Sequence, residues 1–271
     1  MTQPTLGLAL TPPTDPALLD LLVHMRRWCA VRQADSSDPV DAWIVTEGVD
    51  PALVSAGPPV LVWTRNPASA APGWSGRGIL VGPASAMAGW GGLSIPDTGV
   101  DATDAEFVAP VVRRRWRRRL ALPPHTVIHL GDEGVAGLPA GLEVTALATA
   151  AVVVASGDAV LRAMAWGAPT VTDPETAARL DLGGSVRVAA AGDGEHVARA
   201  LCNDEHAMAL LAWRGRQRVE ERHDLVGAAY RVAEAARIVP VADPTGGVLS
   251  LLTELWASPA TAVSMLRAVT A

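Results

Sequence analysis

The chain has 271 residues, 49% hydrophobic and 18% charged, which is enough to build a packed core in one large domain or two small ones and too apolar for a disordered chain. A formal net charge of −6 and a pI of about 5.5 argue against a general nucleic-acid binder, though not against a local basic patch. All 22 basic residues are arginine, which excludes a Schiff base on lysine and a lysine ammonium as a phosphate ligand.

The N-terminus, "MTQPTLGLALTPPTDP", has neither a basic leader nor a long apolar core and does not read as a signal peptide. The most apolar span, Leu142 to Leu161, is interrupted by Glu143, Thr145, Thr149, Ser156 and Asp158. It reads as two buried strands and a helix start, not a membrane span, so a soluble cytoplasmic protein is expected. Cys29 and Cys202 read as buried free thiols, and without a Cys-x-x-Cys or compact His pair no metal site is expected.

In chain order, "TLGLAL" predicts a first strand. Apolar positions Leu18, Leu19, Leu22, Val23, Met25 and Cys29 in "DPALLDLLVHMRRWCAVR" predict a helix, capped by Asp15 with Pro16 in its first turn. The runs "AWIVTEG", "PVLVWTRN" and "GILVGP" predict strands of a parallel sheet covered on both faces, with thin layers where Pro67 to Gly78 is rich in Ala, Pro and Gly. "LSIPDTGVDATDAEFVAP" reads as a turn-rich connection. "VVRRRWRRRLALPP" carries six arginines in positions 113–119 around Trp116. Val108, Val112, Trp116 and Leu120 lie four apart, so this helix is expected to bury them and to leave Arg114, Arg117 and Arg118 in solvent, ending at Pro123 and Pro124.

Past these prolines the alternation restarts. Strands are predicted at "TVIHLG", "LEVTALA", "AAVVVAS", "PTVTD" and "SVRVAAA", with helices from Ala159 to Trp166 and over "PETAARLDL". Longer helical patterns follow at Gly194 to Arg222 and Asp224 to Ile238, then a helical tail. The alternation is the α/β signature, with no internal repeat beyond it.

Three segments in order carry a family resemblance. In the first, Ile95, Pro96, Gly99, Val100, Asp101, Phe107, Pro110, Arg115, Arg119, Leu120, Leu122, Pro123 and Gly131 follow the Ile-Pro-Asn-Gly-Val-Asp turn, arginine-bearing helix and Gly-ended strand that connect the domains of GT-B glycosyltransferases, with Thr98 inserted. In the second, "AVLRAMAWGAPTVTD" resembles that family's Glu-Ala-Met-Ala-x-Gly-x-Pro-Val-Val segment through Ala163, Met164, Ala165, Gly167, Pro169 and Val171. In the third, "LLAWRGRQRVEERHDLVGAAYRVAEAAR" is similar to its last helices. The resemblance spans about residues 93 to 237. It implies two Rossmann-like domains of a reduced GT-B type: an acceptor-side domain at 1–105, the Arg-rich connecting helix at 106–124, a nucleotide-sugar-side domain at 125–239 and a helical tail at 240–271.

The resemblance implies a nucleotide-sugar site at Gly131, Ser156, Gly157, Asp158 and Arg162, with Thr46, Glu47, Thr64 and Arg65 at strand ends facing a cleft, and no metal or cofactor. It also exposes departures. The family holds the leaving diphosphate with an Arg and a Lys, but here no lysine exists and "DEGVAGLPAG" offers Asp132 and Glu133 instead. The family's Glu accepts from the ribose hydroxyls, and Arg162 stands in its place with five donors and no acceptor. Arg162 then reads either as a solvated or inter-helix side chain or as a phosphate ligand. Asp158 reads as a helix cap that competes with any anion there. His24 and His129 read as core or surface histidines, and the turn around Gly192 as a common loop that can meet a ligand.

Two functions remain open: a glycosyltransferase taking a sugar from a nucleotide donor, or a non-catalytic pseudoenzyme serving as scaffold or protein partner of an active one. Nucleic-acid contact through Arg113–Arg119 is a third and lesser alternative.

Overall fold

The structure, a computed structural model, describes residues 3–11, 15–54 and 56–238. The expected tail at 240–271 lies outside them.

The first sheet comprises β1 (Thr5–Ala9), β2 (Ala30–Gln33), β3 (Ala42–Thr46), β4 (Val60–Trp63), β5 (Ile79–Pro83) and β6 (Leu93–Ile95), in the order β2-β1-β3-β4-β5-β6 and parallel throughout. With it go α1 (Pro16–Met25), α2 (Pro67–Trp74) and α3 (Ala84–Met87). The second half carries α4 (Pro110–Arg119), β7 (Val127–Gly131), β8 (Gly134–Val135), α5 (Glu143–Thr149), β9 (Val152–Ala155), α6 (Ala159–Ala165), β10 (Thr170–Thr172), α7 (Pro174–Arg179), β11 (Arg187–Val188), α8 (Gly194–Leu201), α9 (Glu205–Arg222) and α10 (Leu225–Ala235). Its sheet runs β11-β10-β9-β7-β8, parallel except for the β7–β8 hairpin. Two separate parallel sheets, each layered with helices, bear out the two Rossmann-like layers expected from sequence.

The central strands are apolar on both faces because both faces are covered. Alternate residues of β3 and β4 divide between two cores: Ile44, Leu61 and Trp63 pack with Leu18, Leu21 and Met25 of α1, whereas Trp43, Val45, Val60 and Val62 pack with Ala70 and Trp74 of α2. Asp15 caps α1 through the Ala17 N–H, 3.0 Å away, as its sequence position implies.

Among the described residues one compact unit holds 3–97 and 224–238, and the other holds 98–223. The division differs from 1–105, 106–124 and 125–239 in two ways. The connection belongs to the second unit: Val100 N–H donates to His223 O (2.8 Å), and the His223 ring bonds Thr98 O (2.9 Å) and Leu180 O (3.1 Å). The last described helix belongs to the first: Val226, Ala229, Val232 and Ala233 of α10 join the α1 core.

Four elements differ from the sequence reading. "LEVTALA" is helix α5, not a strand. Its buried residues run from Thr145 to Thr149 without a break, and a short run buried all round has no periodicity to tell the two states apart. The first helix stops at Met25, and Ala30–Gln33 pairs with β1 as an edge strand. Leu93–Ile95 in the supposed connection is strand β6. The long pattern from Gly194 breaks between Leu201 and Glu205, where Asp204 caps α9 through Ala207 N–H (2.9 Å).

The arginine helix is turned from its expected face. Arg113 is 1% exposed and Arg117 6%, whereas Val112 is 38% exposed and Trp116 and Leu120 are half-buried. The cause is the carbonyl ends of two other helices. The last C=O groups of a helix have no partner within it and carry partial negative charge. Arg113 donates through Nη1 to Leu147 O at the end of α5, through Nη2 to Trp166 O at the end of α6, and through Nε to Val108 O (2.8 Å). Arg117 Nη1 reaches Thr149 O at 2.8 Å. From α9, Arg216 Nη1 meets Ala165 O (2.5 Å) and Ala105 O (2.7 Å). Helix α6 turns off through Gly167, φ +66°, whose missing Cβ leaves room for the Phe107 ring.

Candidate functional site

Within the second unit, the carboxyl ends of β7, β9, β10 and β11 surround a cleft of about 470 Å³. Parallel α/β sheets bind ligands at this end, because the loops there are free of the sheet's own hydrogen bonding. His129 and Gly131 come from β7, Ser156 from the turn after β9, Thr172 and Asp173 from the end of β10, and Gly192, Gly194 and Glu195 from the turn into α8. The floor is alanine and valine: Val154, Ala155, Val171 and Ala189.

The polar groups of the cleft are mostly engaged. His129 Nε2 lies 2.8 Å from Glu195 Oε2, and the other oxygen of Glu195 takes Arg199 Nε at 2.7 Å. Asp173 caps α7, accepting from Thr176 N–H (2.7 Å) and Thr176 Oγ1–H (2.8 Å), and the Thr176 N–H holds its carboxyl below the ordinary value. Thr172 is 2% exposed, and its Oγ1 has no partner among the described residues. Among the described residues no arginine lines the cleft.

The expected donor-site residues do not converge on one ligand position. Gly131 and Ser156 line the cleft. Gly157 (φ +60°) gives its N–H to Thr176 Oγ1 at 3.2 Å, and a Cβ on it would lie 3.2 Å from the Asp132 carboxylate. Asp158 makes no side-chain cap to α6, contrary to the sequence reading, because its carboxylate pairs with Arg179 Nη2 at 2.8 Å. Arg162 takes the inter-helix place that the sequence allowed it, braced between α6 and α5, and not that of a phosphate ligand. Its Nη1 meets Glu143 Oε1 at 2.9 Å, and its Nη2 meets Gly131 O at 2.6 Å and Asp132 O at 3.3 Å.

In the first unit, Thr46, Glu47, Thr64 and Arg65 stand at the ends of β3 and β4, each with a partner. Thr46 Oγ1 shares a 2.7 Å bond with Thr11 Oγ1; Thr64, 1% exposed, donates to Glu47; and Arg65 Nη2 donates to Asp15 Oδ1 at 2.9 Å. Trp63 Nε1 donates to the same Asp15 at 3.1 Å, and the carboxyl is held below its usual value, chiefly by Arg65.

The arginine run offers less basic surface than its sequence promises. Arg113 and Arg117 are buried, and Arg114 pairs with Glu205, which leaves Arg115, Arg118 and Arg119 on the exposed side. Of the cleft residues, Thr172, Asp173 and Glu195 were not singled out from sequence. Their signal was the strand-end position of "VTD" and "GDGE", visible only once strand order is known.

Among the described residues no helix is long and apolar enough to cross a membrane. No family model and no curated protein matches the chain. Solved structures that it is similar to include the following three. Anabaena Alr3699/HepE in complex with UDP-glucose shares 13% identity over 87% of this chain and 99% of that one, with a TM-score of 0.42. A glycosyltransferase from Rickettsia africae ESF-5 shares 8% identity over 88% and 98%, TM-score 0.49. AviGT4, a glycosyltransferase involved in avilamycin A biosynthesis, shares 15% identity over 86% and 97%, TM-score 0.42. At these values the likeness concerns the fold and carries no argument about activity.

Proposed function

We propose that the chain is a glycosyltransferase-like protein that does not transfer sugar from a nucleotide diphosphate and works as a non-catalytic scaffold for a protein partner. The supporting observation is the commitment of Arg162. Its sequence position corresponds to the resembled family's ribose-binding Glu, but its Nη1 is bonded to Glu143 and its Nη2 to the carbonyls of Gly131 and Asp132. A leaving diphosphate needs preorganised positive charge where its own charge develops. The cleft instead presents Asp173 and Glu195, with His129 held by Glu195.

Calorimetry with UDP, GDP, TDP and ADP and their sugars tests this reading. Dissociation constants weaker than about 1 mM, or about −4 kcal/mol, are expected throughout. Micromolar binding of any one of them overturns it.

A second reading draws on the His129–Glu195 pair, since a histidine oriented by a carboxylate is a general-base arrangement. Under that reading the chain is a transferase with a rebuilt site, and His129→Ala abolishes turnover of a nucleotide sugar that the native chain consumes.

A further inference from the structure

A second pocket, of about 270 Å³, lies beside α4 and α9 in the same unit, away from the strand ends. Arg113, Arg114 and Arg117 line it on one side and Glu205, Met208 and Ala209 on the other. Its charge is unbalanced. Arg113 and Arg117 sit on consecutive turns of α4, both buried, and neither makes an ion pair with a carboxylate among the described residues. Arg113 spends its donors on neutral carbonyls. Arg117 spends Nη1 on Thr149 O, and its Nε–H is buried with no partner among the described residues. Burial holds both guanidinium groups below their ordinary pKa, Arg113 at about 9.

An unpaired N–H on a buried cation is costly, and a side-on guanidinium edge matches two oxygens of an oxoanion. We infer that this pocket binds a phosphate group, free or as a small monoester, which neutralises the Arg113–Arg117 pair that lines it and meets Arg114 beside them. Arg114 stands at the mouth, paired with a largely exposed Glu205, and a dianion can draw it inward by displacing that carboxylate. The volume holds a phosphate and a short body against Met208 and Ala209 but not a nucleotide, which separates this pocket from a donor-sugar site. The inference stands whether or not the cleft binds nucleotide sugars.

The test is titration of the full chain with inorganic phosphate and with glycerol phosphate, by calorimetry and thermal unfolding, against sodium chloride at matched ionic strength. Saturable binding is expected, with a melting temperature that rises with phosphate concentration beyond the chloride control. Tighter binding of glycerol phosphate supports a monoester as the occupant, and equal binding supports free phosphate. Arg117→Gln should abolish binding, but it also removes the Thr149 contact and can fail to fold. Ala209→Glu, on an exposed turn of α9, keeps the fold while placing a negative charge at the pocket, and it should weaken phosphate binding by about tenfold or more. No saturable phosphate binding, equal stabilisation by chloride, or binding by the folded Ala209→Glu protein within about twofold of the native chain each overturns the proposal.

Discussion

Glu143, in the first turn of α5, holds Arg162, in the middle of α6, through a 2.9 Å contact between Oε1 and Nη1. The pair is half-buried, with side chains 18% and 35% exposed, and Arg162 also ties down the carbonyls that end β7. An arginine where the resembled family keeps an acid is therefore a structural brace between two helices and a strand end. Arg162→Glu sets two carboxylates together and strips the donors from Gly131 and Asp132, so it should cost about 1–3 kcal/mol in urea unfolding. Adding Glu143→Arg should recover part of that loss. Glu143→Gln alone should cost only about 0.5–1 kcal/mol because solvent reaches the pair. A stable Arg162→Glu protein would remove the brace.

Gly167 and Phe107 form a second fixed relationship. A Cβ on Gly167 would sit 2.5 Å from the Phe107 ring, and its φ of +66° is left-handed. Gly167→Ala should thus cost about 2–4 kcal/mol, from ring overlap and from backbone strain. Phe107→Leu made alongside it relieves the overlap but not the φ term, so the double variant should recover some of the loss and not all. Full recovery would mean that the left-handed turn is not strained by a side chain.

The large-scale organisation was legible in sequence where one signal spans many residues. Continuous apolar runs at "AWIV" and "VLVW" mark strands buried on both sides, and the restart past Pro124 marks the second sheet. Capping was legible where a side chain serves its own helix, as Asp15 does. It was illegible where a side chain serves another helix. Arg113 and Arg117 look like the solvated side of α4, because nothing in "VVRRRWRRR" announces that α5 and α6 end against it. The cleft followed the same pattern: Ser156 and Gly131 sit at recognisable strand ends, but Thr172, Asp173 and Glu195 join them only through the order β11-β10-β9-β7. Asp158 kept its place at the head of α6 and lost its expected role to Arg179, about 20 residues further on.

Asp15 gives the first unit a pH-dependent joint. Its carboxylate caps α1 and accepts from Trp63 and Arg65, and Arg65 is the main reason its pKa lies below 3.8. A depressed folded-state pKa means that the unfolded chain binds the proton first as acid is added. The stabilisation is therefore present above the ordinary carboxyl value and is lost as the pH falls through the folded-state value. Asp15→Asn keeps an acceptor for Ala17 but loses the charge. Its stability should fall short of the native chain at pH 7 and converge with it in acid, below about pH 4. Asp15→Ala, which also loses the cap, should cost about 1–2 kcal/mol at pH 7. Parallel stability curves for Asp15→Asn and the native chain would place the pH dependence elsewhere.

Arg113 is the sharpest case, because it is buried in a run of arginines that reads as a solvated face. A solvated arginine costs almost nothing to replace, whereas Arg113 is 1% exposed and bridges the carbonyls of Val108, Leu147 and Trp166. Arg113→Met fills similar space but leaves three buried acceptors short of donors, and it should cost about 3–5 kcal/mol. Arg113→Lys should recover less than half of that, because a single ammonium cannot reach three carbonyls spread around a planar fork. Arg118→Gln, on the exposed side of the same helix, should change stability by no more than about 0.5 kcal/mol. Trp116→Ala should fall between the two, since Trp116 is only half-buried. Denaturant unfolding of the four variants orders them directly. If Trp116→Ala proved costlier than Arg113→Met, α4 would present the face that its sequence first implied.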